Sequence, residues 1–253
     1  MTKRFADLHL HSTLSDSTFT PEEVIERAKK AGLSAVAITD HDCIDAIEPA
    51  LKIAKSHNIE LIPAVELSSE SKEDEVHILG YFIDWQDKWL LDNLEKMQIC
   101  RIERVKKMAE KLKNHGIDID IDEIFKLSGC GSVGRLHIAQ VMLKEGYVPD
   151  IKEAFRKYIG NNAPCYVSKF KLSPKEAIKI VHRAGGISIL AHPVVLKGES
   201  ILYDMIDDGI NGIEVYHPDH SQADAIYFLK FARRHKLIVT GGSDCHGLGK
   251  ERI

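Results

Sequence analysis

The sequence predicts an α/β fold, a (β/α) barrel of seven strands with a helical insertion. Three observations predict it. Short apolar runs that read as strands alternate with amphipathic helical patterns, as in a parallel sheet. Nine His, Asp and Glu residues mostly close those runs, and a barrel presents its chemistry from the carboxyl ends of successive strands. The alternation stops between residues 87 and 170, where Lys, Glu, Leu and Ile recur at helical spacing. A chain of 253 residues holds one such barrel with a small insertion.

The elements follow in order. Along Phe5–His11, Asp7, His9 and His11 share one face and Leu8 and Leu10 the other, by the strand period of two. Thr20-Pro21 opens a helix with an N-cap and a first-turn proline, and Gly32 closes it. Ser34–Thr39 is a buried strand leading to Asp40-His41-Asp42, and a helical pattern covers 45–57. Glu60–Val65 ends at Glu66, and Glu75–Phe82 contains His77. Helical runs over 89–115 and 137–145 fill the insertion, with Gly-containing turns between them. Ser173-Pro174 starts a helix ended by Gly185-Gly186, whose strand (186–190) runs into His192-Pro193. Gly212–Tyr216 leads to His217 and His220, a helix covers 221–235, and Leu237–Thr240 leads to Asp244 and His246. Residues 1–86 and 171–253 are expected to form the barrel. Residues 87–170 are expected to form a cap over its mouth, where loops meet substrate.

Composition excludes several classes. Hydrophobic residues at 44% and charged residues at 28% rule out a disordered chain. A net charge of -4 argues against a non-specific polyanion binder, although bound divalent ions would add positive charge locally. The five cysteines (Cys43, Cys100, Cys130, Cys165, Cys245) form no CxxC pair, so reduced thiols are expected rather than a zinc ribbon or disulfide framework. No signal-peptide or membrane-spanning run is visible, which points to a soluble cytoplasmic protein.

His9 and His11, two apart on a strand, can reach one metal. Glu66 has two oxygens with which to bridge two cations. Asp16, His41, His77 and His192 add single donors, and Asp244-x-His246 adds a pair. Each has an ordinary alternative, such as a turn aspartate, a loop glutamate or a hydrogen-bonded core histidine. The alternatives fail jointly, because the donors fall at the ends of strands one, two, three, five and seven. Nine donors exceed the four of a mononuclear zinc site, so two or three divalent metals sharing one mouth are expected, as in phosphate-ester hydrolysis. No Ser or Cys sits in a nucleophile-elbow motif. Arg135 suits phosphate on physical grounds, since a planar guanidinium clamps two oxygens at once.

The pattern DLHLHS…SD…TDHD…VELS…VHILGY…AHP…GSDCH resembles the polymerase and histidinol phosphatase (PHP) family of metal-dependent phosphoesterases over nearly the whole chain. The resemblance implies a distorted seven-stranded barrel and a trinuclear site. His9, His11, Glu66 and Asp244 would hold one metal, Glu66, His77 and His192 a second, and Asp16, His41 and His246 a third. Gly134-Arg135-Leu136-His137 and Glu214–His220 are similar to the branch of nucleoside 3′,5′-bisphosphate phosphatases and 5′-to-3′ exoribonucleases. That branch implies phosphate binding by Arg135, His137 and His220, with His220 also a candidate leaving-group acid. His217 stands where the branch is expected to carry tyrosine. The stop at Ile253 implies a shortened outer wall. The implied reaction is removal of a nucleotide's 3′-phosphate by metal-activated hydroxide, with Mn, Fe or Zn as the ion. Short 5′-phosphorylated RNA and histidinol phosphate are the alternatives within that chemistry. An amidohydrolase is disfavoured because no lysine closes strand three or four. A non-catalytic module is disfavoured because all nine donors are present.

Overall fold

Pro63 decides where the first sheet ends. It has no N–H to give a ladder, so the apolar run 60–65 breaks into two strands instead of forming one. In this computed structural model, which describes residues 4–71, 74–129, 131–168 and 172–248, β1 (Ala6–Leu10), β2 (Ala35–Ile38) and β3 (Glu60–Leu61) form a parallel three-stranded sheet. A second sheet holds β4 (Ala64–Ser71), β5 (Asp74–Tyr81), β6 (Ile187–Leu190), β7 (Gly212–Tyr216) and β8 (Ile238–Gly241) in sequence order.

The expected seven-stranded parallel barrel is thereby corrected. The described residues form eight strands in two sheets, and β5 runs antiparallel to both β4 and β6. Glu66 is not at a strand end but is the third residue of β4, whose serine-rich second half stays in the ladder by pairing with β5. Only β6, β7 and β8 continue in parallel. Single bridges join the sheets at two seams, Leu10 to Cys245 and His41 to Glu66. The amide of Asp244 donates to the His9 carbonyl at 2.9 Å, and that of Asp42 to the Glu66 carbonyl at 2.9 Å.

Capping chemistry starts the helices where the sequence places it. In α1 (Pro21–Lys30) the Thr20 hydroxyl accepts from the Glu23 amide, and the Glu23 carboxylate accepts from the Thr20 amide. Helix α2 spans Ile47–His57. The stretch between β5 and β6 holds α3 (Lys88–Asn114), α4 (Ile121–Ser128), α5 (Arg135–Lys144), α6 (Ile151–Ala154) with a π-helical turn at 155–159, and α7 (Pro174–Arg183) with the Ser173 capping box. Helices α8 (Ser200–Asp207) and α9 (Gln222–His235) complete the described chain. Cys130 and the expected boundary at 170–171 lie outside the described residues, as does the stop at Ile253. Cys43, Cys100, Cys165 and Cys245 are free thiols.

Helix α3 belongs to two cores. Leu90, Leu94 and Met97 in its first half pack with the second sheet and α7–α9, whereas Val105, Met108 and Leu112 pack with Ile124, Ile138 and Met142 of α4 and α5. The change of partner falls near Arg101 and Arg104. Gly131 lets the loop before α5 meet the first sheet's loop: a Cβ there would lie 2.1 Å from the Leu14 carbonyl oxygen, which accepts from the Ser132 amide at 2.9 Å. Among the described residues no helix is long and apolar enough to cross a membrane.

Candidate metal centre

The nine donors named from the sequence meet at one end of the strands. Oε2 of the buried Glu66 lies 3.2 Å from each of His9 Nε2, His11 Nε2 and His41 Nδ1. Its other oxygen, Oε1, is 2.8 Å from His77 Nδ1 and 3.1 Å from His192 Nε2. Asp244 Oδ1 is 3.5 Å from His9 Nε2 and 3.3 Å from His11 Nε2. Asp16 reaches His246 at 3.2 Å and both His11 and His41 at 3.8 Å.

The donor set fits divalent ions. Two ligands about 2.1 Å from one ion at tetrahedral or octahedral angles stand roughly 3.0–3.4 Å apart, close to most of these separations. His11 Nε2, Asp16 Oδ1 and His41 Nδ1 are buried without a hydrogen-bond partner, despite their short approaches to opposite charges. Atoms this close that do not bond to one another converge on a shared point. His11, Asp16, His41 and His246 form one such group, His9, His11 and Asp244 a second, and Glu66 joins His9 and His192 in one group and His41 and His77 in another.

Two carboxylates to which the sequence assigned no role in the centre orient the donors. Glu214 Oε1 accepts from His9 Nδ1 at 3.0 Å, leaving Nε2 to face the centre, while Oε2 accepts the His192 amide at 2.8 Å. Asp40 accepts from the Ser12 amide and from the Ser12 and Ser15 hydroxyls, and Ser15 Oγ lies 3.4 Å from His11 Nδ1. Glu214 lies inside the apolar strand β7 and Asp40 in the loop just after β2, so only their partners reveal the role. A Cβ on Gly242 would lie 2.3 Å from that of His9, so glycine lets the segment after β8 press against β1. Asp42, His192 and Asp244 have positive φ angles of 52°, 27° and 49°. Such strain persists only where surrounding structure over-determines it.

Burial works against protonating His9 and His11, but the carboxylates outweigh it: His9 is pushed well above the usual imidazole range by Glu214, Glu66 and Asp244, and His11 to about 10 by Asp244, Glu66 and Asp16. Burial likewise opposes ionisation of Asp16, Glu66 and Asp244, yet the facing imidazoles hold all three well below the carboxylate range. Protons on His9 and His11 thus balance the carboxylate charge where cations would otherwise do so.

His217 joins His9 and Glu214 in a further group. Its Nδ1 accepts the Asp219 amide at 3.1 Å, so the neutral ring carries its proton on Nε2, 3.5 Å from Asp244 Oδ2. His220 stands behind it, ring centroids 5.3 Å apart, and packs on Phe228. His220 Nδ1 donates to the Val215 carbonyl at 2.9 Å, so its buried Nε2 is a bare lone pair. Burial and the neighbouring His217 depress its pKa. On the α5 side, Arg135 donates to Glu75 Oε2 at 3.2 Å and Asn161 Oδ1 at 2.8 Å, and Glu75 Oε1 meets His77 Nε2 at 2.9 Å. The buried His137 accepts the Gly134 amide at Nδ1 (3.1 Å), which places its proton on Nε2, and burial depresses its pKa.

A PHP domain model matches residues 7–161, more than half of the sequence. The chain belongs to the PHP family. It is 34% identical over 250 residues to a Chromobacterium violaceum 3′,5′-nucleoside bisphosphate phosphatase, covering 96% of this chain and 88% of the relative. It is 32% identical over 251 residues to a Haemophilus influenzae 5′-3′ exoribonuclease, covering 97% and 91%. A Chromobacterium violaceum structure named as an amidohydrolase, with bound sulfate and no metal, superposes with a TM-score of 0.91 at 33% identity, covering 98% of this chain and 89% of that one. This PHP protein is accordingly a metal-dependent phosphoesterase.

Proposed function

We propose that this PHP phosphoesterase removes the 3′-phosphate of nucleoside 3′,5′-bisphosphates. The observation that carries the reading is the juxtaposition of the nine-donor cluster with Arg135, linked through Glu75 and His77. One region suits a reacting phosphate and the other a second, unreacted one. Glu66 Oε2 belongs to the His9, His11 and Asp244 set and Oε1 to the His77 and His192 set, which supports its bridging two ions; Asp16, His41 and His246, with His11, make the third set. Two or three ions of Mn, Fe or Zn held there would polarise the phosphoryl group and lower the pKa of water.

The protein's own residues do the rest. Glu214 and Asp40 fix the tautomers and angles of His9 and His11. Residues 87–170 form the cap, from which the Arg135 guanidinium and the His137 Nε2–H grip the 5′-phosphate. His217 presents its Nε2–H to the reacting group. His220, expected as the leaving-group acid, stands behind His217 with Nδ1 held by the Val215 carbonyl, and burial favours its neutral ring, so in this reading it supports His217. The amidohydrolase chemistry suggested by one neighbour's name is disfavoured, because the group standing between the His9 and His11 nitrogens and those of His77 and His192 is the Glu66 carboxylate.

Product analysis tests the orientation. A bisphosphate should yield the 5′-monophosphate, and a 5′-monophosphate alone should be a poor substrate. Accumulation of the 3′-monophosphate reverses the assignment. Faster processive release of mononucleotides from 5′-phosphorylated RNA than of phosphate from the bisphosphate favours the exoribonuclease reading, which the Haemophilus influenzae relative supports.

A further inference from the structure

Two arginines lie one helical turn apart at the middle of α3, and their surroundings differ. Arg101 is fully engaged: Nε donates to Asp42 Oδ2 at 2.7 Å, Nη2 to Ser68 Oγ at 2.9 Å and Nη1 to the Val133 carbonyl at 3.3 Å. Arg104 is 6% exposed and donates from Nε to the Val167 carbonyl at 2.7 Å. Its Nη2 is buried with no hydrogen-bond partner, and it makes no ion pair among the described residues. A buried guanidinium whose nearby carboxylate, Glu75, is shared with Arg135 and His77 is costly, because desolvation is only partly repaid.

Its neighbours add to that cost. The Arg104 and Arg135 guanidinium carbons lie 5.5 Å and 5.6 Å from the centroid of the same Tyr166 ring. Burial and the Arg135 charge push the Arg104 pKa down to about 10, which still leaves it cationic at neutral pH. Arg135 is committed to Asn161 and Glu75, and Glu75 shares its charge with His77. Around Tyr166 there are thus two guanidinium charges and one shared carboxylate, beside the His77 side of the donor cluster. Arg135 is also the first residue of α5, whose N-terminal dipole adds positive potential.

We propose that Arg104 and Arg135 together bind the substrate phosphate that is not hydrolysed, with Arg104 supplying the unpartnered Nη2 donor and the pair supplying more positive charge than the shared Glu75 offsets. This assignment rests on the reading of the site as one for esters with two phosphates. Charge-assisted hydrogen bonds to phosphate favour arginine over lysine, because the planar fork matches two oxygens.

Two measurements test it. The first is the ratio of kcat/KM for a nucleoside bisphosphate to that for phenyl phosphate, in the metal-loaded enzyme. Arg104→Gln should lower this ratio roughly tenfold to a hundredfold, the loss of one charged hydrogen bond. Arg104→Lys should fall between Gln and wild type. A role confined to pinning Val167 moves both esters together, so an unchanged ratio overturns the proposal. The second is calorimetric binding of a nucleoside 5′-monophosphate to the intact protein in chelator, which Arg104→Gln should weaken by a similar factor. If wild type shows no preference for the bisphosphate while Arg104→Gln still weakens the monophosphate, the parent reading fails and the anion site stands. Binding unaffected by Arg104→Gln, or absent from wild type, overturns the site itself.

Discussion

Between the two sheets, Glu66 is surrounded by the imidazoles of His9, His11, His41, His77 and His192. On the neighbouring helices, Arg101, Arg104 and Arg135 stand beside Asp42 and Glu75. The first region is built from groups that exchange protons for metals, on strands and short loops anchored by buried carboxylates. The second is built from permanent cations on helices that share a separate apolar core. The difference teaches that, on the proposed roles, reaction and recognition would rest on different elements, so a change in one should be separable from a change in the other.

The largest effect expected is on the first region. Glu66→Gln removes the charge shared by two donor sets and should lower turnover of every ester, since metal ions contribute several kcal/mol, on the order of a thousandfold. Elemental analysis should show fewer bound ions per chain. Full metal content and full activity in this variant end the bridging assignment. The monophosphate affinity measured in chelator should change far less, which is where the comparison between the regions is broken or upheld.

Glu214→Gln sharpens the comparison inside the first region. The side chain touches His9 and the His192 amide without belonging to the sets assigned to the metals, so metal affinity should fall about tenfold to a hundredfold, as for other groups that orient ligands. Excess metal should restore activity. If excess metal restores none, Glu214 acts on the reaction more directly than as a support for His9.

The smallest effect is on the stability of the metal-free protein. The pKa of His11 is about 10 in the folded protein, and that of His9 is well above its usual value. A folded pKa above the unfolded value of about 6.5 gives stability that is complete below the unfolded pKa and lost as pH rises through the folded one. The Tm of chelator-treated protein should therefore fall between pH 6.5 and about 10. A Tm that rises across this interval contradicts the proton balance described for the cluster.

The donor cluster was legible in part because strand geometry is local: His9 and His11, two apart on β1, announce a shared direction without knowledge of the fold, whereas Asp244 and His246 lie beyond β8 and join different donor groups. The capping boxes of α1 and α7 were legible for the same reason. The reversal of β5 was hidden, because an apolar run does not encode its direction, and the paired ends at 69–71 and 74–76 are mostly polar residues that resemble a loop. Glu214 looks like one polar residue in GIEVY until His9, 205 positions away, is placed beside it. Arg104 sits in a lysine-rich helical run where a solvated face is the ordinary reading, and only its burial and missing partner distinguish it.

One seam between the two sheets is closed by donor residues, His41 and Glu66, and the other by the neighbours of donors, Leu10 and Cys245. One backbone ladder stops at Leu10 and Cys245 and the other at His41 and Glu66, with little pairing beyond those bridges. His9 and His11 approach one seam from the first sheet, and Asp244 meets them from the segment after β8; His41 meets Glu66 across the other. On the proposed ligand sets, each ion acts as a rivet through two plates, and loading the centre also fastens the wall. Metal uptake and the joining of the two sheets are then linked, so bound ions would stabilise the joined sheets by an amount that grows with the logarithm of their free concentration over their dissociation constant.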